Sequence, residues 1–169
     1  MDDGRQVIAE GTYGAGLSWL VWAQWQSSGD ARLGADELLS MIRVISADGR
    51  VLHEGGGGGP ALYPGQLMNV STGGSDEGPY CLLVRVHPDI GRVELVTAAG
   101  EIMHVPVYDS ARFPDVRFAA LLVPRELNLG SVAGFSHGGE ELERFDLAFH
   151  QRFWHQNHPR GDYFSPSSP

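Results

Sequence analysis

The sequence predicts an all-β protein, an antiparallel Ig-like β-sandwich of eight or nine strands. Three observations predict it. Short apolar runs rich in β-branched and aromatic residues recur at intervals of about 10 residues, the spacing of sandwich strands. Turn residues separate them, drawn from 23 glycines and 10 prolines in a chain of 169 residues. No strand–helix–strand alternation is present. A hydrophobic share of 42% with 20% charged residues is that of a soluble globular protein, and the length suits one domain.

The first strand is Trp19–Trp25, bounded by Gly14 and Gly16 before it and by Ser27-Ser28-Gly29 after it. Alternation puts Trp19 and Trp25 on one face and Trp22 on the other. Residues 34–39 have room for one helical turn. Met41–Ser46 and Val51–His53 flank Asp48-Gly49, a hairpin signal that suggests a type I′ turn. Gly55–Gly59 with Pro60 reads as a flexible loop, because five glycines offer nothing to pack and lose the most entropy on ordering. It has no following Lys-Ser/Thr pair, so it is not a phosphate loop. Ser71–Pro79 reads as a second loop.

The second half alternates more clearly. Leu82, Val84 and Val86 share one face, with Arg85 and His87 on the other. After Pro88–Gly91, Val93 and Leu95 face in while Arg92 and Glu94 face out. Ile102–Tyr108 returns as a hairpin partner, and Pro106 makes it an edge, since proline cannot donate to a ladder. Pairing of this edge with a copy of itself, giving a homo-oligomer, stands against a guarding role for Pro106 and His104. Val116–Val123 is almost continuously apolar, as a strand buried on both faces is. Gly130–Phe135 turns at Ser136–Gly139 and returns through Glu140–Leu147. A helix from Glu140 to Trp154 is the alternative for that return, because Leu142, Phe145, Phe149 and Phe153 fall at helical spacing. The sandwich domain is read as residues 1–149, followed by a C-terminal segment, 150–169, whose last residues read as disordered.

Charge and composition restrict the function. The net charge is −9, which speaks against nucleic acid and anionic membranes as partners. All twelve cationic residues are arginine, so Schiff-base and phosphate-loop lysines are excluded. The N-terminus is acidic, no apolar signal segment follows, and Leu17–Trp25 is too short to span a bilayer, so a cytoplasmic location is expected. Cys81 is the one cysteine; it sits in an apolar run and reads as a small buried hydrophobe.

Ser46-Ala47-Asp48-Gly49-Arg50-Val51-Leu52, then Arg92-Val93-Glu94-Leu95-Val96 with Gly100, then Val116–Pro124 together carry a resemblance. Residues 9–145 resemble a group of uncharacterised small actinobacterial β-sandwich proteins, in which an Arg-Phe strand ending in proline follows a charged hairpin. The resemblance implies the fold and an actinobacterial source. It implies no activity.

Three constellations point to chemistry. His150, His155 and His158 lie within nine residues, and with His137 they give a metal-dependent hydrolase as the weakest reading. No His-Glu-x-x-His motif, Gly-x-Ser-x-Gly elbow or cofactor fingerprint is present, and no cofactor or resident metal is expected. Trp19, Trp22 and Trp25 offer indoles for stacking a carbohydrate or other small ligand, against the bland reading that a sandwich needs a large aromatic in its core. Arg152, Phe153, Trp154, Tyr163 and Phe164 are the residue types that anchor protein interfaces. The preferred expectation is therefore a non-enzymatic interaction or assembly module that captures a protein partner through its C-terminal segment. A carbohydrate-binding sandwich is the alternative.

Overall fold

The computed structural model describes residues 4–27 and 36–148. Within them twelve strands form three antiparallel four-stranded sheets. Sheet A has the order β1 (Gln6–Tyr13), β2 (Leu17–Ser27), β3 (Asp36–Ile45), β4 (Val51–Gly57). Sheet B has the order β5 (Met68–Gly74), β6 (Tyr80–Val86), β10 (Arg117–Val123), β9 (Val107–Tyr108). Sheet C has the order β12 (Glu141–Asp146), β11 (Leu129–Ser136), β7 (Ile90–Thr97), β8 (Ile102–Val105).

The alternation in β6 explains why there are three layers. Cys81 and Leu83 pack with Val21, Ile42 and Val44 of sheet A. Their neighbours Leu82, Val84 and Val86 pack with Val93, Leu95 and Val132 of sheet C. Successive strand residues point to opposite faces, so a strand apolar at every position must lie in a sheet covered on both sides. β10 obeys the same rule: Ala120 and Leu122 face sheet A, while Ala119 and Val123 face sheet C. Each fully buried leucine or phenylalanine here contributes about 2 kcal/mol. Gly134 lets the layers approach, because a Cβ there would stand 2.9 Å from the Met68 sulfur.

The all-β class and the doubly buried strand at 117–123 are as expected, but the strand number is twelve instead of eight or nine, and the sheets are three. β1 was not anticipated. Residues 36–39, where the sequence left room for one helical turn, extend β3; Gly55–Gly57 belong to β4 and Ser71–Gly74 to β5, where loops were expected. The Asp48-Gly49 hairpin exists, but of its two central residues only Gly49 has positive φ, at 85°. Gly49 N–H donates to the Ser46 carbonyl and Ser46 N–H to that of Arg50, closing a three-residue loop with a bulge beyond it at Leu52, so the turn is not type I′.

Pro106 separates β8 from β9, and there the chain passes from the edge of sheet C to the edge of sheet B. The return strand from Glu141 to Asp146 is β12, not helix, pairing with Ser131–Phe135. Leu147 and Ala148 take helical backbone, and the described residues end there. The expected boundary at 149/150 therefore lies at their limit. Among the described residues, no helix is long and apolar enough to cross a membrane.

Candidate functional site

The three β2 tryptophans divide between faces as alternation requires. Trp19 lies partly buried between sheets A and B, its indole flat against Gly11, its partner across the β1–β2 pair. Trp25 is 45% exposed and rests on Phe113 at 6.2 Å between ring centroids. Trp22 points outward from sheet A, yet it is only 6% exposed. The Arg5 guanidinium sits 4.5 Å from its ring centroid, and its Nε1–H donates to Glu54 Oε1 at 3.3 Å. Glu54 also accepts from Arg43 Nη2 at 2.8 Å. Of the three indoles, only Trp25 keeps a largely open surface for stacking.

Strand register sets Trp22 in a row across sheet A. Val7 pairs with Trp22, and Trp22 with Met41. Paired residues share a face, so this row, joined by Leu20 and Leu39, makes an apolar band on the outward side. Val7 is half exposed, whereas Leu20, Leu39 and Met41 are partly buried. The outward face of sheet C contrasts with it. There Arg92 pairs with Glu94 at 2.9 Å and Arg144 with Glu141 at 2.7 Å, and His104 lies opposite Glu94. Arg92 also covers Phe135 at 4.3 Å. The outward side of sheet C carries these ion pairs, whereas on that of sheet A Arg5 and the Arg43–Glu54 pair cover Trp22 and leave Val7 half exposed beside it.

Between sheets A and B the fold brings together a thiol and an imidazole that sequence spacing did not connect. Cys81 and His53 line one cavity of about 10 Å³, with Ser71, Thr72 and Gly73. This is room for about one water. Burial pushes the Cys81 thiol up to about 12 and holds the His53 imidazolium below its ordinary range, with Glu54 opposing the latter weakly. A nucleophilic thiol needs the opposite shift. Both side chains are buried, Cys81 at 1% and His53 at 5% exposure, as packed interior residues are.

His137 Nε2 donates to the Pro88 carbonyl at 3.0 Å, which directs the ring back onto the turn before β7. No group of three or more His, Cys, Asp or Glu suited to a metal occurs among the described residues. His150, His155 and His158, like Arg152, Phe153, Trp154, Tyr163 and Phe164, lie outside the described residues. No family model, curated protein or solved structure matches the chain. The functional reading therefore stands on geometry and chemistry alone.

Arg85 lies on the face of β6 opposite Leu82, Val84 and Val86, as alternation predicts, and it is 3% exposed because that face meets sheet A. Its Nη1 donates to the carbonyls of Leu38, at 2.9 Å, and Pro60, at 3.1 Å. The guanidinium thus ties the start of β3 to the loop after β4.

Proposed function

We propose that this protein is a non-enzymatic, cytoplasmic protein-binding module. It docks a protein partner through the outward face of sheet A, assisted by the C-terminal segment bearing Arg152, Phe153, Trp154, Tyr163 and Phe164. The observation that carries this reading is the outward cluster of sheet A, where half-exposed Val7 and partly buried Met41 flank Trp22 beneath Arg5 and the Arg43–Glu54 pair. Aromatic and arginine side chains in a setting partly screened from water are those that carry binding energy at protein interfaces. Arg5 lies over the Trp22 ring and Arg43 pairs with Glu54 beside it, so arginines form part of this surface.

Site-specific photo-crosslinking tests it. A benzoylphenylalanine at Leu39 or at Phe153 of the full chain, expressed in its own host, should yield the same protein adduct. One at His104, on the outward face of sheet C, should not. Deleting residues 150–169 should weaken capture while leaving the unfolding midpoint unchanged. Adducts from position 104 alone, or capture indifferent to the deletion, overturn the proposal.

A second reading, a carbohydrate- or small-ligand-binding sandwich, draws support from Trp25, whose open indole is backed by Phe113. A broad glycan panel that leaves the tryptophan fluorescence unchanged would count against it.

A further inference from the structure

The edges of sheets B and C leave a cleft of about 180 Å³ between β5 and β12. One wall is the Tyr63–Gln66 turn and β5, which present Tyr63, Gln66 and Asn69; the other is β12, which presents Glu143 and Phe145. Met68 closes the inner end, where it is 4% exposed. The two walls are tied by one bond, Leu67 N–H donating to Glu143 Oε2 at 3.0 Å.

We propose that this cleft binds a neutral, polyhydroxylated ligand the size of one sugar ring. The volume of about 180 Å³ falls short of the roughly 300 Å³ at which drug-sized ligand pockets begin and suits a single ring. Tyr63, 46% exposed at one wall, offers an apolar ring face to the C–H side of such a ligand. The Gln66 and Asn69 side-chain amides form no hydrogen bond with any described residue, so their donors and acceptors are open to vicinal hydroxyls. Glu143 keeps a second carboxylate oxygen beyond the one that holds Leu67.

The charge of the cleft selects neutral ligands. Arg144 contributes its stem, because its Nε and Nη2 bind Glu141 and its Nη1 binds Ser131. The carboxylate of Glu143 is left as the uncommitted charge, which repels anions. The competing role for Glu143 is that of an inward-pointing charge that keeps an edge strand from pairing with other chains. That role leaves the amides of Gln66 and Asn69 without a purpose, and it predicts no ligand. The cleft lies on neither outward face, so this inference stands or fails apart from partner docking.

The test is an amide NMR titration of the full chain with glucose, galactose, mannose, N-acetylglucosamine and inositol, each to 50 mM on the order of a ligand binding at about 1–10 mM. At least one should give saturable shifts confined to residues 63–70 and 143–145. The double variant Gln66→Ala/Asn69→Ala should lose them at least tenfold in affinity while keeping the remaining spectrum. Glucose 6-phosphate should bind at least tenfold more weakly than glucose if glucose is the responding probe. No saturable shift, shifts centred on Trp25, or unchanged binding by the double variant overturns the proposal.

Discussion

Gly56 of β4 lies so close to Ser40 of β3 that a Cβ on Gly56 would overlap the Ser40 carbonyl oxygen. The obstacle is backbone within a paired ladder, Met41 opposite Gly56 and Ser40 opposite Gly57, so it cannot swing aside. Gly56→Ala should therefore cost about 3 kcal/mol, the upper range for overpacking. Gly57→Ala is the control, since its Cβ would meet only Ser71 Oγ at an ordinary 3.6 Å. Urea unfolding of the two variants checks the contrast. Equal midpoints would show that the β3–β4 approach is looser than described.

His53 gives stability a pH dependence of definite sign. Its folded pKa is lowered, because burial disfavours the imidazolium. The unfolded chain thus takes up the proton first as pH falls. The stability tied to neutral His53 is complete above pH 6.5, declines as pH drops from there, and is lost once pH passes the lowered folded value. The slope is at most about 1.4 kcal/mol per pH unit for one proton. Asp48 and Glu141 are also lowered, by hydrogen bonds from Ser46 and Arg144, but they act only in the more acid carboxylate range. Denaturant midpoints between pH 7 and 5 should fall for the native chain and stay flatter for His53→Gln. Parallel profiles would refute the assignment.

Parity along a strand is local, and what it governs was legible. The run 118–123 is apolar at every position, which demands cover on both faces whatever the topology. The faces of Trp19, Trp22 and Trp25 follow from the same period of two. Burial from remote partners was not legible: Trp22 is covered by Arg5 and by Glu54, 32 residues away, although it points outward. The glycine run misled for a related reason. In isolation it has only entropy to lose, but close backbone approach to β3 makes the missing Cβ at Gly56 a requirement. Tyr63, Asn69 and Glu143 gave no signal, because their cleft exists only where the edges of two sheets come together. The aromatic C-terminal residues lie beyond what the fold describes.

Arg85 tests whether the interior between sheets A and B is held by one polar tie. Two carbonyls, Leu38 and Pro60, depend on its Nη1. Burial lowers its pKa, with Tyr63 opposing, so the charge itself is costly there. Arg85→Met fills similar space but orphans both acceptors, and should cost about 2–4 kcal/mol in guanidinium unfolding. Arg85→Lys should recover part of that loss, since one ammonium can reach a carbonyl but lacks the fork geometry. A methionine variant as stable as the native chain would mean the bonds contribute nothing net.

Cys81 provides the sharpest check on the interior. It is 1% exposed, its thiol is pushed up to about 12, and its cavity with His53 holds about 10 Å³. Burial keeps the native thiol protonated at pH 8, and the thiolate is the reactive form. Iodoacetamide should therefore modify the native chain only through opening. The labelling rate should rise with urea in step with global unfolding, because β6 lies in the middle sheet and opens last. A Cys–His nucleophilic pair would behave otherwise: labelling would be fast at pH 7, insensitive to low urea, and slowed by His53→Gln. Slow labelling that tracks unfolding places Cys81 in the core, and fast labelling reopens the reaction centre that its burial argues against.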